Sequence, residues 1–276
     1  MIELPEALTI ARQMTAELRG KRIVRGLRGN SPHKFAFYSG EPEQYAGILE
    51  GRTMGETIGM GSMIVAAIEP GHALVLGGGG ERILYHPTAA TLPKKHHLLL
   101  QFEDDSYLTV SVQGWGCVQL VPQEQLATHS FAGSPRVSPL DAEFTADYVR
   151  QLFAEVPAED PRSIKHFVIS KPGFWGVANG YLQDILFLAK LHPRRRVVEM
   201  KAKEQRALHK ATKTVITQAV KADGRDTERD LYNQPGRYVR ILDSRTVGRP
   251  CRECGTVIEK ISYLGGAAYF CPSCQV

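Results

Sequence analysis

The chain opens on a helical pattern. Leu8, Ile10, Ala11, Met14 and Leu18 recur every three to four residues and share one face. Pro5 stands near the start, where its missing N–H costs nothing, and Gly20 is a stop signal. From about 22 to 122 the texture changes to short apolar runs between turn residues. Ile64-Val65-Ala66, Ala73-Leu74-Val75-Leu76, His97-Leu98-Leu99-Leu100 and Tyr107-Leu108-Thr109-Val110 predict the strands of an antiparallel β-sandwich. The run Gly77 to Gly80 reads as a flexible loop or a close backbone approach. Residues 131–142 are rich in Ser and Pro and predict a linker. Helical spacing then resumes. Thr145 caps a helix carrying Tyr148, Val149, Leu152 and Phe153, and a second helix spans Ser163 to Ile169. A third runs from about Gly180 to Leu191 and ends at His192-Pro193. A longer amphipathic helix covers roughly 199–222, with Ala207, Leu208, Ala211, Val215, Ala219 and Val220 on one side.

These breaks predict an α+β multidomain protein: a sandwich domain over 1–130, the linker over 131–142, a helical domain over 143–235 and a cysteine-bearing tail over 236–276. At 276 residues, 43% hydrophobic and 23% charged, the chain is neither disordered, collagenous nor a disulfide scaffold. Its apolar runs, such as Met63 to Ile68, fall far short of the roughly 20 residues that span a bilayer, so no membrane partner is expected. Met1-Ile2-Glu3 offers no basic start to a signal peptide, and a cytoplasmic address, with nucleoid association open, is the expectation.

Four of the five cysteines lie in the tail, as Cys251-x2-Cys254 and Cys271-x2-Cys274 with sixteen residues between the pairs. This spacing predicts one four-thiolate zinc site. Four thiolates leave no open position for water, so the ion is structural, supplying stability that a tail of this size cannot draw from a core. Cys117 stands alone and reads as a small buried hydrophobe. The tip of the intervening hairpin, around Gly265-Gly266-Ala267-Ala268, is small and apolar, with no cation to grip a phosphate.

The net charge of +5 permits a polyanionic partner without demanding one. Its distribution says more. Lys190, Arg194, Arg195, Arg196, Lys201, Lys203, Arg206, Lys210 and Lys213 face only Glu199 and Glu204 over the same stretch. Such a tract reads equally as a solvated helix face or as a backbone-binding surface.

The motifs Glu3-Leu4-Pro5-Glu6, Gly176-Val177-Ala178-Asn179-Gly180-Tyr181, Asp184-Ile185-Leu186-Phe187, Leu191-His192-Pro193 and Cys271-Pro272-Ser273-Cys274-Gln275 occur in one order. Together they resemble the formamidopyrimidine-DNA glycosylase and endonuclease VIII family, over essentially the whole chain. The resemblance implies an N-terminal β-sandwich, a helix–two-turns–helix domain and a C-terminal zinc-finger hairpin, with DNA held between the two halves. It also implies base excision followed by β-elimination at the abasic site. There an N-terminal proline forms a Schiff base with the sugar, its amine partly neutral near a pKa of about 8. Nearby acids shuttle protons.

Carried onto this sequence, the resemblance places Glu3 and Glu6 beside the reacting sugar. It places Asn179 on the phosphate backbone and matches Lys165 to a lysine upstream of that hairpin. The departures fall on the chemistry. Ile2 occupies the nucleophile's place, and a bulky second residue is expected to leave Met1 attached. The family lysine falls at Ser62, the finger arginine at or beside Gly266, and the residues that fill the hole of an everted base at Gly78, Gln113 and Trp115. Without the nucleophile, Glu3 and Glu6 read better as acids favoured by a helix dipole. The expected function is therefore nucleic-acid binding with little or no turnover. The chain would hold damaged, distorted or abasic DNA through Asn179, Lys165, Arg194, Arg195 and Arg196. Two alternatives stay open. One is an active glycosylase and lyase using an N-terminal amine, with Ile2, Glu3 and Glu6 as its candidates. The other is a module that binds structured RNA or a protein assembly. Trp115 and Trp175 are each a candidate base-stacking ring or a core residue.

Overall fold

The structure, a computed structural model, describes every residue except Asn30, Pro32 and Pro135. Pro135 belongs to the expected linker, which at that position lies outside the described residues. The chain forms two compact units, Met1–Pro135 with Ala222–Arg237 and Arg136–Lys221 with Tyr238–Val276. Ala222–Arg237, which the sequence boundaries leave mostly with the helical domain, packs in the first unit because it buries Arg225 and Leu231 there.

In the first unit, α1 (Leu4–Leu18) starts at Glu3, whose carboxylate and that of Glu6 form a reciprocal capping box, with Pro5 in the first turn. Its Ala7, Ile10, Ala11, Met14 and Leu18 face the core, each large apolar side chain worth roughly 1.5–3 kcal/mol when fully buried. The strands are β1 (Ile23–Arg28), β2 (Ala36–Tyr38), β3 (Thr53–Met60), β4 (Met63–Glu69), β5 (His72–Gly77), β6 (Glu81–His86), β7 (Leu98–Phe102), β8 (Tyr107–Val112) and β9 (Gly116–Pro122). They make a five-stranded sheet, β2-β9-β5-β4-β3, and a four-stranded sheet, β1-β7-β8-β6. Ile64, Ile68, Leu74, Leu76 and Val118 of the first sheet share one core with Ile23, Leu98, Leu100, Phe102 and Val110 of the second.

Two features depart from the sequence pattern. The short helix α2 (Pro42–Leu49) sits among the strands, started by a Glu41/Gln44 capping box and Pro42, and buries Tyr45 and Leu49. The pairing of β2 with β9 is parallel in an otherwise antiparallel sandwich. The glycine run resolves as a close approach. Gly77 and Gly78 hold φ of +106° and +79°, and a Cβ on Gly79 or Gly80 would lie 1.9 Å from the Trp115 or Gln113 carbonyl oxygen.

In the second unit, Thr145 caps α3 (Ala146–Ala154) and Ser163 caps α4 (Ile164–Ile169), each accepting from a backbone N–H with its hydroxyl. Then come α5 (Asn179–Ala189) and α6 (Ala202–Lys221). The buried stripe of α6 is Leu208, Ala211, Thr212, Val215, Ile216 and Ala219; Ala207 and Val220 of the expected stripe are only partly covered. The tail folds into the hairpin β10 (Glu259–Tyr263) and β11 (Gly266–Phe270). Leu264 and Gly265 make its two-residue turn with φ of +50° and +70°, the handedness that matches strand twist. No helix among the described residues is long and apolar enough to cross a membrane.

Candidate functional site

The N-terminus of the first unit is tied down by ion pairs and hydrogen bonds. The α-amine of Met1 lies 2.9 Å from a Glu228 carboxylate oxygen. The Ile2 side chain is buried in the main core, and its N–H donates to the Gly79 carbonyl at 2.8 Å. Glu3 and Glu6 are both buried, and a residue the sequence reading passed over lies between them. Arg225 Nη1 donates to Glu3 Oε1 at 2.8 Å, its Nε to Glu6 Oε1 at 3.1 Å and its backbone N–H to the same oxygen at 3.0 Å. Arg225 Nη2 donates to the Met1 carbonyl and stands 3.6 Å from Glu228. Arg225 is itself buried, so all three charges are screened little by solvent. The capping role of Glu3 and Glu6 agrees with their reading as helix-start acids. Nothing in local spacing announces Arg225, which reaches them across more than 200 positions in a polar segment without periodicity.

A recess of about 310 Å³ opens beside the N-terminus, lined by Met1, Glu81, Arg82, Gln113, Trp115 and Glu228. Glu81 opens β6 and accepts from the N–H groups of Gly79 at 3.0 Å and Cys117 at 2.7 Å. Burial pushes its carboxyl up to about 7, against the pull of those N–H groups and of the chain's N-terminal charge. The folded chain thus holds a proton at Glu81 that the unfolded chain has released above its ordinary value of 4.5. The contribution of this group to stability therefore falls as pH rises from 4.5 to about 7 and is flat above. Urea unfolding at pH 5 and pH 8 is expected to show a smaller loss across that interval in Glu81→Gln than in the parent. Equal losses in the two proteins would remove Glu81 as a source of the slope.

In the second unit, α4 supplies Lys165 and the first turn of α5 supplies Asn179. Lys165 is fully buried, its ammonium donating to the Tyr263 carbonyl at 2.7 Å, and burial lowers its pKa. Asn179 Nδ2 donates to the Ala267 carbonyl at 3.0 Å. Gln183 Nε2 donates to both Asn179 Oδ1 and the Ala267 carbonyl, while its own carbonyl accepts from Tyr269 N–H at 3.1 Å. Gly266 sits over this group: a Cβ there would lie 3.1 Å from Asn179 Nδ2 and 3.9 Å from Lys165 Nζ. The hairpin backbone thus accepts one hydrogen bond from each residue. Arg194 is exposed, with its guanidinium 5.1 Å from the Tyr263 ring centre. Arg195 pairs with Glu199 and Glu204, each at 3.3 Å, and Arg196 with Glu199 at 3.5 Å. Of the five candidate contacts, Lys165, Asn179 and Arg194 converge on the hairpin, while Arg195 and Arg196 turn to acids of their own segment.

The sulfurs of Cys251, Cys254, Cys271 and Cys274 all lie within 4.8 Å of one another and can hold one metal ion. Four thiolates at 2.3 Å around a tetrahedral ion stand about 3.8 Å apart. Cys254 and Cys271 are 3.4 Å apart and Cys251 and Cys274 are 4.0 Å apart, so the donor set fits. Backbone N–H groups of Glu253 and Cys274 point at the sulfurs of Cys251 and Cys271, which stabilises thiolate charge. The fifth cysteine, Cys117, is fully buried and its thiol is pushed up to about 12, as suits an inert core residue.

Residues 137–230 match the formamidopyrimidine-DNA glycosylase H2TH domain. The formamidopyrimidine-DNA glycosylase of Bacillus licheniformis is 28% identical over the whole of this chain and 99% of its own length. A crystal structure of Lactococcus lactis Fpg with abasic-site DNA superposes with a TM-score of 0.85 at 22% identity, over 99% of both chains. A second, of the wild-type Lactococcus lactis Fpg with DNA containing N7-benzyl-Fapy-dG, gives 0.84 at 22% identity over the same share of each chain. The α+β fold, the helical module and the four-cysteine hairpin are those the resemblance implied. The formamidopyrimidine-DNA glycosylase of Streptococcus pneumoniae serotype 4 is 30% identical across 70% of this chain and 71% of its own, and on that similarity the chain belongs to the formamidopyrimidine-DNA glycosylase/endonuclease VIII family.

Proposed function

We propose that this protein binds DNA through its sugar–phosphate backbone, abasic and distorted sites included, and turns over little or none of it. The relatives are named as glycosylases of damaged DNA, and the similar structures hold abasic or modified DNA. The observation that carries the absence of turnover is Arg225. A nucleophilic amine needs an unprotonated nitrogen and a carboxyl free to exchange its proton. Here one guanidinium engages both Glu3 and Glu6, and the N–H of Ile2 is committed to Gly79. With Ser62 and Gly266 in place of two cations, transition-state charge also goes unmet. Asn179 and the exposed Arg194 supply backbone contacts beside the hairpin, and the four thiolates hold one zinc ion whose closed coordination shapes that hairpin and takes no part in chemistry. A cytoplasmic address, with nucleoid association open, belongs to the same reading.

A second reading is favoured by one observation. Met1, with its side chain 44% exposed, lines the recess and carries a primary amine there. Its nitrogen is engaged by Glu228 at 2.9 Å, which opposes attack. Borohydride reduction on an abasic duplex separates the readings. The expected result is no covalent complex, at protein concentrations where fluorescence anisotropy reports saturated, salt-sensitive binding to the same duplex. A trapped complex whose intact mass places the DNA on the N-terminal residue would establish the lyase instead. Absence of binding at low salt would overturn the DNA reading itself.

A further inference from the structure

The first unit carries a row of aromatic rings that its own core leaves uncovered. Phe35, Phe37, Trp115 and Phe131 are 49%, 41%, 40% and 39% exposed. Phe37 lies on β2, the edge of the five-stranded sheet, and Phe35 immediately precedes that strand. The parallel register of β2 on β9 sets Phe37 opposite Cys117 and brings it beside Trp115, with ring centres 6.4 Å apart. Phe131 stands on the other side of Phe37, its ring centre 6.3 Å away. Trp115 lies on the backbone of the glycine run, where a Cβ on Gly78 would be 3.3 Å from the indole. A cation stands at one end of the row: Lys34 Nζ is 5.6 Å from the Phe35 ring centre.

A patch of adjacent exposed rings marks a binding surface. Phe37 lies 6.3–6.4 Å from two of the other rings, and Lys34 stands at one end of the row, which suits an unpaired strand: bases stack on aromatic faces regardless of sequence while phosphates follow positive charge. The cation favours a polyanion over an apolar protein face. We propose that Phe35, Phe37, Trp115 and Phe131, with Lys34 at one end, form a platform for the unpaired nucleotides of a single DNA strand. This rests on the DNA-binding reading above for the class of ligand and extends it to strand state, at residues remote in sequence from Asn179 and Arg194.

The test uses the full-length, zinc-loaded chain with two fluorescent probes: an oligo(dT) strand of about 20 nucleotides, longer than the site of one binding module, and a blunt duplex. The Phe37→Ala/Phe131→Ala protein is expected to lose about tenfold or more in affinity for oligo(dT), and less than twofold for the duplex. Phe37→Tyr/Phe131→Tyr, which keeps both ring faces, is expected to restore oligo(dT) binding. In a Trp175→Phe background only Trp115 reports, and oligo(dT) should quench its emission in the parent but not in the double alanine variant. The proposal is overturned if the parent has no affinity for oligo(dT), if the alanine variant binds it unchanged, or if both probes weaken equally. A parent protein that binds oligo(dT) but not the duplex would instead sink the duplex reading and leave the platform standing.

Discussion

Arg225→Ala is expected to destabilise the first unit by about 3–5 kcal/mol, because it strands two buried carboxylates. Glu3 and Glu6 are both almost fully buried, and Arg225 supplies charge to each of them at 2.8–3.1 Å. The backbone at the start of α1 also donates to them, but a helix dipole worth a fraction of a kcal/mol per acid cannot replace the guanidinium. Thermal unfolding should fall by about 10 °C for a chain of this size. The loss belongs to uncompensated charge rather than to the absent pair, and the triple variant Glu3→Gln/Glu6→Gln/Arg225→Met tests that. With no charge left to bury it should recover most of the midpoint, as apolar replacements of buried ion pairs commonly do. A drop below about 1 kcal/mol in Arg225→Ala would show that the guanidinium is not the partner that offsets the burial of these acids. It would also remove the main argument against proton transfer at this end of the chain.

What the sequence makes legible, and what it hides, follows the range of each interaction. The start of α1 reads directly, because Glu3, Pro5 and Glu6 act within one turn. The cysteine pairs read directly because two-residue spacing and a hairpin return are local facts. Helix α2 carries its own capping box at Glu41 and Gln44, but its eight residues fall among strands, and only burial of Tyr45 and Leu49 under the sheet decides for helix. Arg225, Lys165 and the aromatic row belong to another class. Arg225 meets Glu6 across 219 positions, Lys165 meets Tyr263 across 98, and Phe37 meets Trp115 only because β2 pairs parallel with β9. Lys165 shows the consequence. Its type and place suggest a phosphate contact, yet its ammonium is spent on the carbonyl of a hairpin that folds over it. Long-range pairing decides whether a charged residue faces a ligand or its own chain, and no periodicity records it.

That hairpin makes Cys251→Ser the second large effect. The core shared by Phe187, Leu242, Cys251, Ile258 and Cys271 is small, and the two strands bury few side chains beyond Ala268 and Phe270. The apparent free energy of structural zinc in finger peptides, about 10–16 kcal/mol, is large against such a core. Elemental analysis of the purified variant is expected to fall from about one zinc per chain to a small fraction, since three thiolates leave a position open to water and exchange. Residues 245–276 should then become protease-sensitive while α1 and the sandwich keep their protection from hydrogen exchange. The damage should also reach α4 and α5. Tyr263 and Ala267 accept from Lys165 and Asn179, so unfolding the hairpin leaves a buried ammonium with no acceptor and frees Asn179 from its anchor. Duplex affinity should fall by an order of magnitude or more, although none of the four cysteines touches DNA in this account. Full metal retention in Cys251→Ser would show that the ligand set is wrong. Metal loss with the hairpin still resistant to protease would show that its packing on α5, rather than the ion, holds Asn179 in place.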